Sequence, residues 1–138
     1  MRRGAASVLV VSALLVACAG HAPVRHLEAP DALGPYSAAV LTGEWCLLSG
    51  KIGQRGGSFA QEVETAFDAV EHDLERAGLS LADVAAVTVY LADMDDYAEL
   101  NAIYARRLPA PYPARTTVGV AALPGGARVE LSVVARRR

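Results

Sequence analysis

This 138-residue chain offers little to metal, disulfide or nucleic-acid chemistry. It has two cysteines, Cys18 and Cys46, and three histidines, His21, His26 and His72. The histidines share no metal-ligand spacing, so no metal site is expected. With Cys18 committed elsewhere, as argued below, Cys46 stands alone and no internal disulfide can form. It lies in the apolar run Trp45-Cys46-Leu47-Leu48 and reads as a small core residue. Aromatic residues are scarce at 6%, and the formal net charge is −2. Loss of Arg2 and Arg3 with a cleaved leader makes the remainder more acidic. Phosphate binding needs a basic face, so nucleic acid is a poor partner. The only basic run, Arg136-Arg137-Arg138, reads as a solvated terminus. No apolar run is long enough to cross a bilayer as a mature helix.

What is present begins with an export signal. Met1-Arg2-Arg3 is basic, and Gly4 to Ala17 is apolar and small, broken only by Ser7 and Ser12. Small residues then precede Cys18. This is the pattern of a secretory signal. Leu15-Val16-Ala17-Cys18 resembles a bacterial lipobox, whose cysteine is lipidated and becomes the new N-terminus. Ala19 resembles the residue found after that cysteine in lipoproteins sorted to the outer membrane. The alternative is an ordinary signal cleaved near Ala17 or Ala19. The expected organisation is a signal over 1–17, a flexible tether over 18–33 and one domain over 34–138. Location on the periplasmic side, with membrane contact through the lipid anchor only, follows from that reading.

Within the domain, Ser37–Thr42 and Trp45–Ser49 flank Gly43-Glu44 like a hairpin. Gly50 to Gly57 is a glycine-rich loop. Ser58 and Gln61 match a capping box that opens a helix. Val63, Ala66, Phe67, Val70, Leu74 and Ala77 form its apolar face, and Gly78 stops it. Ala85–Leu91 predicts a strand, and a second helix is expected from about Asp95 to Arg107. Pro109, Pro111 and Pro113 enforce an extended loop. Strands near Arg115–Ala121 and Arg128–Ala135, joined by Leu-Pro-Gly-Gly, finish the chain. The order is ββαβαββ, which predicts an α+β fold with a mixed sheet and two helices on one face.

The last two strands carry the chemistry. Alternation puts Thr116, Val118 and Val120 on one face, and likewise Val129, Leu131 and Val133. Those are the expected core faces. Arg115, Thr117 and Gly119 then point away from the core, as do Glu130 and Ser132. An arginine and a carboxylate in apolar strands are unusual as core residues. A guanidinium can grip a carboxylate by two parallel hydrogen bonds, and a carboxylate can activate water. The competing readings are a structural ion pair for Arg115 and a surface carboxylate for Glu130. If Gly125-Gly126 centres a tight hairpin, the two residues are offset by roughly 17 Å. One pocket could use both only if Glu130 comes from a neighbouring chain.

The stretch Pro113 to Glu130 resembles the signature of the Rid family, the reactive intermediate deaminases (RidA/YjgF). The likeness extends over about residues 34–135. Gly34-Pro35-Tyr36-Ser37 resembles the family's Gly-Pro-Tyr segment. Ser49-Gly50-Lys51-Ile52-Gly53 resembles its Ser-Gly-Gln-Ile segment, with Lys51 in place of glutamine. Asn101 and Tyr104 resemble its Asn-x-x-Tyr helix. Thr117 stands where many members have cysteine, which removes thiol chemistry there. The resemblance implies a chorismate-mutase-like fold, a homotrimer with sites at subunit interfaces, and no cofactor. It implies hydrolysis of 2-imino (2-enamino) acids to 2-oxo acids and ammonia. Arg115 and Glu130 would be catalytic, and Tyr36, Ser49, Asn101 and Thr117 would bind substrate. The rival expectation is a non-catalytic protein that binds small carboxylic acids or holds unfolded clients, because imines are typically made in the cytoplasm. An endoribonuclease reading fits an acidic, exported chain poorly.

Overall fold

Helix α1 (Phe59–Arg76) starts at the Ser58 capping box. The Gln61 N–H donates to Ser58 Oγ at 3.2 Å, and the Ser58 N–H donates to Gln61 Oε1 at 2.9 Å. Two donors that a helix start otherwise leaves free are thereby satisfied. Val63, Ala66, Phe67, Val70, Leu74 and Ala77 are all buried. Burial of each larger apolar side chain stabilises the fold by about 1.5–3 kcal/mol. Gly78 ends the helix at φ 76°, a conformation open to glycine at little cost. The computed structural model describes residues 23–137. The leader, Cys18, His21 and Arg138 lie outside those residues.

The strands are β1 (Arg25–Leu27), β2 (Ala39–Thr42), β3 (Trp45–Leu48), β4 (Lys51–Ile52), β5 (Val84–Leu91), β6 (Ala114–Gly119) and β7 (Val129–Arg136). They form one mixed sheet in the order β1-β2-β3-β7-β5-β6, with β4 also paired to β7. Only β5 and β6 run parallel, and α2 (Tyr97–Arg107) links them as a crossover. A short 3-10 turn at Met94–Asp96 precedes α2. Phe67 of α1 meets Tyr104 of α2 edge to face, with ring centroids 5.8 Å apart. Val87, Val89 and Leu91 of β5 and Val129, Leu131, Val133 and Ala135 of β7 alternate onto the helix-covered face. This is the expected α+β architecture. Cys46 is also in the core. Burial pushes its thiol up, against the charges of Arg25 and Arg137, so it stays protonated at neutral pH.

Three features differ from the sequence expectation. Residues 25–27, inside the stretch read as a tether, form β1. Leu27 is buried there, and its carbonyl accepts from the Ala38 N–H at 2.8 Å. Next, β6 and β7 are not a hairpin, because β5 lies between them. The Leu-Pro-Gly-Gly segment makes a 3-10 turn at Pro124–Gly126, with Gly125 at φ 61° and Gly126 at φ 73°. Last, the faces of β6 are reversed. Its register places Arg115 beside Val87 and Thr117 beside Val89, both buried. Neighbours in register share a face. Arg115 and Thr117 therefore lie on the helix side, while Thr116 and Val118 are exposed.

Candidate active site in two halves

A bulge shapes the first half. Leu47 pairs with Val134 and Lys51 with Leu131, so the register slips by one residue between β3 and β4. The extra residue falls at Ser49-Gly50, and bulges of this kind re-aim side chains beside functional sites. The Ser49 N–H donates to the Ala38 carbonyl at 3.1 Å, and its hydroxyl donates to the Ser37 carbonyl at 2.6 Å. Ile52 pairs with Glu130. A cleft of about 490 Å³ opens here, lined by Leu33, Gly34, Tyr36, Ser49, Gly50 and Glu130, with Ile52 and Pro124. Tyr36 is exposed on its rim and accepts from the Leu33 N–H at 3.1 Å.

Gly50 is set by close approach. A Cβ there would collide with the Glu130 carboxylate. Gly50→Ala is expected to push the Glu130 carboxylate out of place with little loss of stability in denaturant unfolding, because the colliding atoms are the far end of a flexible side chain that borders the open cleft. A variant markedly less stable than the wild type would show instead that the carboxylate has no room to move aside.

Lys51, the departure from glutamine, turns away from this cleft. Its ammonium pairs with buried Asp73 at 2.5 Å and donates to the Ala38 carbonyl at 3.3 Å. Burial disfavours the charged form of Asp73, but the Lys51 and Arg76 bonds outweigh it and hold the carboxyl below its usual range. Lys51 thus ties β4 to α1 and adds no free cation to the cleft.

The second half is built around Arg115 on the edge strand β6. Its guanidinium lies 4.6 Å from the Tyr104 ring centroid and 5.6 Å from that of Tyr97, and donates to the Tyr97 hydroxyl at 3.1 Å. Other arginines show what a structural role looks like. Arg107 binds Glu64, Asp68 and Glu71 of α1, and Arg128 binds buried Glu62. Arg115 has no carboxylate within ion-pair distance among the described residues. Close by, the Thr117 and Tyr104 hydroxyls are buried without a hydrogen-bond partner. Burial pushes the Tyr104 phenol up against the opposing charge of Arg115, so it remains protonated. Asn101 is half-buried, one helical turn before Tyr104. The Arg107 clamp to α1 fixes the helix that carries both.

The two halves do not meet within one chain. Glu130 pairs with Tyr90 and Arg115 with Val87, so they sit two strands and three residues apart, roughly 14 Å. They also occupy opposite faces of the sheet, contrary to the shared face that alternation suggests. Tyr36, Ser49 and Glu130 are together; Arg115, Thr117 and Asn101 are together. Sequence reading missed Tyr97 and Tyr104 as the cradle of Arg115, although their i, i+7 spacing places them on one side of α2. Among the described residues, no three His, Cys, Asp or Glu side chains converge as a metal site would require.

A family model described as endoribonuclease L-PSP matches residues 26–137. The 2-iminobutanoate/2-iminopropanoate deaminase of Homo sapiens is 38% identical over 119 residues, covering 81% of this chain and 87% of that protein. The crystal structure of yeast Mmf1 matches with a TM-score of 0.79 and 32% identity, covering 84% of this chain and 100% of its own. The crystal structure of RidA from the Antarctic bacterium Psychrobacter sp. matches with a TM-score of 0.75 and 38% identity, covering 79% and 94%.

Proposed function

The chain belongs to the Rid family, and on that footing we propose that it hydrolyses 2-imino acids of the 2-iminobutanoate and 2-iminopropanoate type, without a cofactor. The observation that carries this reading is Arg115: a permanent cation cradled by two tyrosines and given no carboxylate among the described residues. A substrate carboxylate completes it.

In this reading Glu130 of one copy faces Arg115 of a neighbour across a trimer interface. Two observations favour such an assembly. The halves lie on opposite faces of one sheet, and the face bearing Glu130 leaves Trp45, Leu47 and Val118 exposed. The carboxylate of the substrate binds Arg115. Glu130 orients a water and takes its proton as the oxygen attacks the imine carbon. The nitrogen gains protons, the C–N bond breaks, and ammonia leaves a 2-oxo acid. Tyr36, Ser49, Asn101 and Thr117 shape and hydrogen-bond the pocket. Position and matched charge are adequate for so labile a substrate. The chain would act on the periplasmic side of a bacterial membrane, anchored through lipidated Cys18.

The mature chain from residue 18 contains every described element. Mixed with freshly generated 2-iminobutanoate, it is expected to release ammonia faster than buffer does. Binding of 2-oxobutanoate without any acceleration would overturn the enzyme reading in favour of a carboxylate-binding protein.

A further inference from the structure

Tyr97 opens α2 beside Arg115, and its place is fixed from two sides. Its N–H donates to the Met94 carbonyl and closes the 3-10 turn. The Asp93 carboxylate caps that turn, accepting from the Asp95 N–H at 2.9 Å. The Met94 side chain lies against Gly119 of β6, where a Cβ would stand only 2.9 Å from Met94 Cγ. Gly119 follows Arg115 and Thr117 at intervals of two, so it shares their face. The bare backbone at Gly119 thus lets the turn settle on β6, which brings the Tyr97 ring to the guanidinium. The other tyrosine differs. Tyr104 is 5% exposed and packs against Arg115 from within, whereas Tyr97 is 38% exposed and bonds it at the surface.

That bond constrains how Arg115 can act. The Tyr97 hydroxyl oxygen accepts one N–H of Arg115 Nη2 at 3.1 Å. A guanidinium is planar and has two edges that can hold a carboxylate by paired hydrogen bonds: Nη1 with Nη2, and Nε with Nη2. The two hydrogens of Nη2 belong to different edges. Tyr97 therefore occupies one edge and leaves the other whole. A phenol suits the task because it is neutral. A carboxylate partner, such as Glu62 on Arg128, would cancel the charge as well. We propose that Tyr97 is a positioning residue that selects the edge on which Arg115 receives the substrate carboxylate. The inference rests on the reading of Arg115 as the carboxylate grip. Its consequence is orientation. With one edge available, the imine carbon is presented in a single pose, and rates depend steeply on such alignment.

Tyr97→Phe keeps the ring and removes the oxygen. It is expected to lower kcat for 2-iminobutanoate about 10-fold, while 2-oxobutanoate affinity changes less than about threefold and urea unfolding is unchanged. Arg115→Lys keeps the charge but has no edges, so in that background Tyr97→Phe should lower kcat no further. An undiminished kcat in Tyr97→Phe, or the same loss in the Arg115→Lys background, overturns the proposal. Crystal structures of wild type and variant with 2-oxobutanoate read the edge without turnover. The wild type should hold the carboxylate on one edge with the Tyr97 bond kept, and the variant should populate both. A carboxylate that displaces Tyr97 from Nη2 overturns the proposal. A wild type that shows the single edge but releases no ammonia ends the deaminase reading and leaves the role of Tyr97 standing. A wild type that binds no 2-oxobutanoate overturns both.

Discussion

Arg115→Ala is expected to lower kcat/KM for imine hydrolysis about 100- to 1000-fold while the domain stays folded. That corresponds to about 3–4 kcal/mol of lost transition-state binding, in the range for removing one partner of a desolvated charge pair. The fold should tolerate the change because Arg115 anchors no carboxylate among the described residues. Its own packing is a pair of cation–π contacts and one hydrogen bond to Tyr97. Such contacts contribute about 0.5–2 kcal/mol, against about 5–15 kcal/mol for a typical domain. Kinetics and urea unfolding on the same preparation check it. Loss of folding with loss of activity would return Arg115 to a structural role. Retained activity would remove it from the site.

Glu130→Gln is expected to lower kcat about 100-fold, within the span of general-base effects, while 2-oxobutanoate affinity changes only a few-fold. Glutamine keeps the size and one acceptor but takes no proton near neutral pH. The carboxylate grip belongs to Arg115, on the other half-site, so ground-state affinity should survive. If Glu130 only shapes the cleft, kcat should hardly move. If it chiefly pairs with Arg115 across copies, product affinity should fall as far as the rate. Measuring both constants on one variant separates these cases.

Short-range patterns are legible in the chain itself. The Ser58 and Gln61 cap, the apolar stripe of α1 and the buried side of β7 each depend on residues within a few positions of one another. Helical period and strand alternation encode such relations directly. The family motif likewise singles out Arg115, Glu130, Tyr36, Ser49 and Asn101 for testing. The faces of β6 are not legible, because its two sides differ little in polarity: Thr116 and Val118 against Arg115 and Thr117. Which side is covered depends on α2 and on β5, whose register sets Arg115 beside Val87. The turn at Gly125-Gly126 looks like a hairpin for a similar reason. Glycines at positive φ permit a tight turn, but they do not specify which strand receives the returning chain. Here β7 pairs with β3, β4 and β5, all far away in sequence. So local sequence determined the elements other than the short strands β1 and β4, which form only by pairing with β2 and β7, and the residue types that could do chemistry. Only the tertiary structure decided that Arg115 and Glu130 stand on opposite faces, since strand order is set by contacts across the whole sheet.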